Sequence, residues 1–418
     1  MRHPSRRNAP RLSRLALLVA VIALTLVPAS WSASKYQVLY SFQGGTADGA
    51  VPVGNLVFDT RGSLYGTTAY GGTGTSRSCD NYPQTGCGVV FQLTNDNGQW
   101  NEAVLHSFEF GVDGSTGNGS LILDAQGNVY GTTEYGGTAF ELLSGQNWTE
   151  DIIDSFSNYN DGQSPQAGLI WDGSGGFYGT TSTSGKYDWG TAFHLTLTKS
   201  GWVAQVIHNF CHDFNGPCND GAAPLAIVGA DGNLYGTTQY GCEGGCGVLF
   251  QLSAVAGKWK FTVLHKFTGP EGSSPVGALT PDGMGNFYGT TTFGGAFGCG
   301  TLYKLAQTPS GKWKYSAVYN FQSGLSAGSV ALDRAGNVYG ATFGGEEGSC
   351  NQTNNGEVFK LTPRIHAHWK YTPLYQFTGG QDGGQPSSGL ISDANGNLYG
   401  VTGAGGAHGD GVVFEIAP

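Results

Sequence analysis

The chain has 418 residues, with 71 glycines, 12% aromatic and 12% charged residues, and 20 Lys and Arg against 30 Asp and Glu. High aromatic content with low charge excludes a disordered chain, and the glycine excess points to many tight turns that need positive φ. The acidic balance argues against nucleic acid and anionic membranes as partners, because both require phosphate neutralisation.

Residues 1–33 read as a secretory signal peptide. Arg2, Arg6, Arg7, Arg11 and Arg14 make a basic start, an apolar run fills 15–27, and Ala29, Ser30, Ser32 and Ala33 supply small residues. The alternative, a membrane anchor, meets the difficulty that the run falls short of the ~20 residues that span a bilayer. Ser5-Arg6-Arg7 hints at twin-arginine export, but Ala9 and Pro10 stand where apolar residues are expected. No other stretch is apolar enough to span a membrane, and no Cys follows the leader to carry a lipid. Without 1–33, Lys and Arg fall from 20 to 15 against 30 acids, so the formal charge moves from −10 to −15.

From residue 34 onward one phrase recurs: a turn, then Tyr-Gly-Thr-Thr or a variant, at Tyr65, Tyr130, Tyr178, Tyr235, Tyr288, Tyr339 and Tyr399, spaced 48 to 65 residues apart. Each unit contains four short strands. The first is apolar and ends in Asp, as at Asp124, and a tight turn follows. The second carries the tyrosine. The third reads like Gly88-Val-Val-Phe-Gln-Leu93. The fourth opens with Trp and ends eight residues later with Phe, as in Trp100 and Phe108, a spacing that predicts both rings on one face of a strand. The chain starts in part four, at 36–42, and stops in part three, at 412–416, so the N-terminal strand is expected to complete the last unit. Repeats of about 50 residues with several strands each predict blades in a ring. The fold class is all-β: one seven-bladed β-propeller of four-stranded antiparallel blades over 34–418, closed by its N-terminal strand.

Eight cysteines fit an exported, oxidised chain. Cys79 with Cys87, Cys211 with Cys218 and Cys242 with Cys246 are local in spacing, and Cys299 and Cys350 remain; the partners of the last four stay open. Zinc at Cys242-x3-Cys246 is disfavoured because no His lies near in sequence. All eight fall in the loops after the second and fourth strands, which share one face of the disc. That elaborated face is the natural place for a site.

An Asp-Gly-x-x-Pro loop enters most blades, with acids at Asp48, Asp113, Asp161, Asp220, Glu271 and Asp382. These six are expected to ring one face near the axis. They are calcium candidates, although repetition favours the plainer reading that each caps its own turn. The Tyr-Gly-Thr-Thr row could bind sugar, but more often such a ring packs blade on blade. His106, His208 and His265 share one position of the outer strand and are expected to spread around the rim without converging on a metal. His212 sits on the elaborated face. The first strands, expected to line the central channel, lack the His and acid ligands of calcium-dependent lactonase-like propellers. No nucleophile elbow, phosphate loop or His-Glu-x-x-His occurs.

The unit Gly-Asn-Leu-Tyr-Gly-Thr-Thr…Gly-Gly…Gly-Val-Val-Phe-Gln-Leu resembles the GloVer-type (Gloeo/Verruco) bacterial extracellular tandem repeat, over residues 36–418. The resemblance implies a secreted or surface protein of no established activity, so no functional residue transfers from it. The chain departs from the family in lacking a C-terminal anchor, which implies release from the cell or retention by binding. The expected function is a secreted, non-catalytic, monomeric binding scaffold that uses the disulfide-stapled loop face for extracellular glycan or protein. No cofactor beyond calcium is expected. A carbohydrate-active hydrolase or lyase and a structural envelope protein are the alternatives.

Overall fold

The computed structural model describes residues 34–418 apart from 75–78, 80–84, 118, 213–217, 242–245, 327, 345–349, 351–354 and 365–367. The expected signal peptide and Cys242 lie outside the described residues.

Asp59 shows how each repeat begins to fold. Its Oδ1 accepts from the N–H groups of Arg61 at 2.8 Å and Ser63 at 2.9 Å, while Gly62 takes φ +87°. The side chain thus makes the turn that joins the first strand, Gly49–Phe58, to the second, Leu64–Gly71. Asp124, Asp172, Asp282, Asp333 and Asp393 repeat the arrangement. The third and fourth strands, Val89–Asp96 and Gln99–Ser107, complete blade 1. Six further sheets repeat the same antiparallel order.

Within a blade the second-strand glycine is needed for packing. A Cβ on Gly66 would lie 2.5 Å from Phe91 Cζ on the third strand and 2.9 Å from Leu56 Cδ2 on the first. Gly131 meets Phe140, Gly340 meets Phe359 and Gly400 meets Phe414 in the same way. Between blades the second-strand tyrosine packs forward onto the next tryptophan: Tyr65 on Trp148, Tyr178 on Trp259, Tyr235 on Trp313 and Tyr288 on Trp369. The first threonine of the motif donates across the same seam, Thr132 to the Ala167 carbonyl at 2.9 Å and Thr290 to the Gly328 carbonyl at 3.0 Å. Tyr-Gly-Thr-Thr is therefore a packing motif, and its tyrosines are spent on the neighbouring blade.

The expectation that Trp and Phe of the outer strand share a face is corrected. All six outer strands with this pair carry a β-bulge between the two residues, placed in blade 1 where Val90 pairs with His106 but Phe91 with Val104, and the closing strand is bulged likewise. One extra residue reverses the alternation. Trp100 packs against the cluster shared with the preceding blade, whereas Phe108 is buried against Val129 and Phe140 of the following one. Each fully buried phenylalanine contributes about 1.5–3 kcal/mol.

The ring closes as expected. Lys35–Ser41 pairs antiparallel with Val412–Ala417, from Lys35 opposite Ala417 to Ser41 opposite Val412. The architecture is an all-β, seven-bladed propeller of four-stranded blades. Among the described residues no helix is long and apolar enough to cross a membrane.

Candidate functional site

The loops after the second and fourth strands form one face of the disc. Two disulfides lie within single loops of it, Cys79–Cys87 and Cys211–Cys218. The third, Cys299–Cys350, joins the second-to-third-strand loops of blades 5 and 6. Cysteine pairs of this kind belong to an oxidising extracellular or periplasmic compartment.

This face holds six of the seven exposed aromatic side chains among the described residues: Tyr135, Tyr159, Trp189, Tyr240, Phe293 and Phe297. Only Trp171 sits at the opposite turns. Tyr135, Tyr240 and Phe293 occupy one repeat position, five residues after the motif tyrosine, where the second strand runs out of the sheet. The six rings come from blades 2 to 5, so the arc breaks the sevenfold pattern. The repeat motif drew attention to the buried tyrosines; the irregular residues just beyond it were the overlooked signal.

Beside the arc opens the axial channel, a cavity of about 620 Å³ lined by the first strands of all seven blades. Its walls are mostly glycine, serine and small apolar residues, and among the described residues no histidine lines it. Glu134, next to Tyr135, is the one carboxylate among its described lining residues and accepts from Gln166 Nε2 at 2.7 Å.

None of the six entry-loop acids lines the channel, which corrects the expected axial ring. Each is held at a seam between blades, near the outer-strand residue two before the phenylalanine. Asp48 Oδ2 accepts from Tyr40 Oη and the Gln43 N–H, both at 2.8 Å. Asp382 Oδ2 accepts from Tyr375 Oη at 2.9 Å and the Thr378 N–H at 2.8 Å. Asp113 accepts from the Glu109 N–H at 2.6 Å and lies 2.7 Å from His106 Nε2. Glu271 lies 2.9 Å from His265, and Asp220 lies 3.3 Å from His208 and 3.5 Å from His212. Burial works against ionisation of Asp220, but the two imidazoles hold its pKa below the usual carboxylate value. Asp161 faces Asp154, whose pKa rises through burial and the Asp161 charge.

A third residue completes six of the seven seams, two positions after the next blade's tryptophan or, in blade 7, after Ser34; at the seam between blades 2 and 3 that position is Ala204. In four seams it is a ring that stacks: Phe261 on His208 at 4.2 Å, Tyr315 on His265 at 4.0 Å, Tyr371 on Tyr319 at 5.5 Å, and Tyr36 on Tyr375 at 3.8 Å. In the first two blades it is a carboxylate. Burial and the Asp48 charge push Glu102 up to about 7. Burial and Asp113 push Glu150 up to about 7 against the pull of His106. His106, His208 and His265 lie at three separate seams, but His106 meets two acids: His106, Asp113 and Glu150 bring their ligand atoms within 4.8 Å of one another. Glu150 escaped notice because it comes from the following blade, 44 residues downstream of His106.

The fold has solved counterparts. The virginiamycin B lyase of Staphylococcus aureus superposes with a TM-score of 0.57 at 12% identity, covering 92% of this chain and 99% of the other. A catalytically inactive form of that enzyme with quinupristin gives the same values. A streptogramin B lyase gives a TM-score of 0.52 at 12% identity over 92% and 97%. At this identity the likeness shows the fold alone. No curated protein sequence matches the chain significantly. The model of the Gloeobacter/Verrucomicrobia repeat matches residues 136–350, just over half of the chain, and with seven copies of the repeat motif folded as seven blades the chain belongs to that family.

Proposed function

We propose that the protein is an exported, non-catalytic binding module whose loop face takes extracellular glycan. The observation that carries this reading is the arc of exposed rings on blades 2 to 5. Sugar rings stack on flat aromatic faces through their C–H edges, and exposed aromatic patches beside a concave opening are costly unless used. The channel mouth beside Glu134 and Gln166 adds polar groups that would orient hydroxyls. Export is supported by the basic-apolar-small layout of 1–33 and by the disulfides. The acidic charge favours a neutral glycan over a polyanion.

Hydrolysis at the same face takes second place. It draws on the convergence of two carboxylates, Asp113 and Glu150, at one seam. Asp113, however, has a side chain 4% exposed, with one oxygen on the Glu109 N–H and the other on His106, which leaves no room for a glycosidic bond.

Calorimetric titration against a panel of neutral oligosaccharides tests the proposal. One saturable class should bind the wild type, and the triple variant Tyr135→Ala, Tyr240→Ala, Phe293→Ala should lose at least tenfold in affinity with its melting temperature unchanged. Binding retained in the triple variant, or a flat panel, would reject the glycan reading.

A further inference from the structure

We propose that the seam between blades 1 and 2 is a binding site for a divalent transition-metal ion, with His106, Asp113 and Glu150 as its protein ligands. The inference is independent of the glycan reading and rests on different residues.

The donor set comes first. One imidazole nitrogen with two carboxylate oxygens suits zinc or manganese, and three protein ligands leave a position open to water. A purely acidic cluster would not select such an ion, but this set contains a neutral nitrogen donor.

Geometry comes second. His106 Nε2 lies 2.7 Å from Asp113 Oδ2 and 3.7 Å from Glu150 Oε2. Ligand atoms on tetrahedral zinc stand about 3.3–3.5 Å apart, given bonds of about 2.0–2.2 Å. Opening the His106–Asp113 contact by several tenths of an ångström would bring both His106 distances into range, and all three ligand atoms already lie within 4.8 Å of one another.

Third, the seam has an unmet polar demand. Glu150 Oε1 is buried and makes no hydrogen bond, while its other oxygen approaches His106. A buried oxygen without a partner costs stability that a cation would recover. The side chains of His106 and Glu150 remain 19% and 13% exposed, so the seam is in contact with solvent.

The other seams show that structure alone does not call for this set. Where histidines occupy the His106 position in blades 3 and 4, a flat ring covers them, Phe261 within 6° and Tyr315 within 4° of parallel. At the first seam Glu102 meets a tyrosine and Asp48, with no imidazole in the cluster. Of the three seams where an acid meets a histidine, only this one gives up the stack and receives a carboxylate, Glu150, from the following blade.

The test uses chelator-stripped protein titrated with zinc, and separately with manganese, followed by metal analysis after desalting. Glu150→Tyr copies the His265–Tyr315 seam and should fold without metal; Glu150→Gln and His106→Phe accompany it. The wild type should hold one more equivalent than any variant, or bind it at least tenfold more tightly, and the metal should raise the melting temperature of the wild type alone. Equal stoichiometry and affinity in wild type and Glu150→Tyr, or no uptake by the wild type, would overturn the proposal. If the larger substitutions fail to fold, the isosteric Glu150→Gln decides it.

Discussion

Tyr36 and Tyr375 stack with ring centroids 3.8 Å apart and planes 9° from parallel, although 339 residues separate them in the chain. This contact joins the closing strand of blade 7 to the outer strand of blade 6. Tyr36→Ala should therefore act on ring closure. The expected loss is about 3 kcal/mol, the sum of a lost large side chain and its stack, read as a lower midpoint in urea. Deleting 34–42 should go further and abolish a single cooperative transition. An unchanged midpoint in both would mean that the ring does not depend on its clasp.

Gly66→Ala places a methyl 2.5 Å from Phe91 Cζ. Overpacking of this kind costs about 1–3 kcal/mol. Combining it with Phe91→Leu should cost less than the sum of the two single changes, because the smaller side chain vacates the space. Strict additivity would show that the methyl is absorbed elsewhere.

Glu102 gives a pH dependence of definite sign. Its folded pKa is raised from 4.5 to about 7 by burial and by Asp48, so the native state holds the proton that the unfolded chain releases. Stability should fall as pH rises from about 4.5 to 7 and level off above. After allowance for solvent screening the drop is of order 1 kcal/mol. Glu102→Gln should flatten that slope in a series of urea melts. Asp172, held down to about 2 by His194 and the Ser174 and Gly176 N–H groups against the cost of burial, acts oppositely. Its contribution is present above the normal carboxylate pKa and is lost as pH falls toward 2.

Of the disulfides, Cys299–Cys350 closes 51 residues and Cys79–Cys87 only 8. In the loop-entropy account the longer loop contributes more, roughly 4 kcal/mol. The double variant Cys299→Ala, Cys350→Ala should lower the denaturation midpoint more than Cys79→Ala, Cys87→Ala. Non-reducing peptide mapping should recover both pairs, and free thiols at these positions would contradict the assignment.

The ring was legible because each repeat carries its own turn-maker and its own glycine. Asp124 and Gly131 act within a few residues of one another, and local chemistry of this kind survives in the order of the letters. The bulge before Phe108 was not legible. Nothing about Leu105 marks it as an extra residue, and the eight-residue count from Trp100 reads as even parity. Seams were harder still, since His106, Asp113 and Glu150 come from three separate elements of two blades. The disulfide between blades 5 and 6 was hidden in the same way. The aromatic arc was visible as residues but not as a surface, because only the structure separates buried Tyr130 from exposed Tyr135.

The clasp also has a mechanical consequence. Lys35 stands opposite Ala417, so the two ends of the folded chain leave the disc at the same point. A force that draws these ends apart would peel the closing strand from its partner one rung at a time instead of shearing all rungs at once. Pulled at its ends, the disc should yield in small steps that begin at the rim of blade 7, while a load applied across the loop face would bear on all seven blades together.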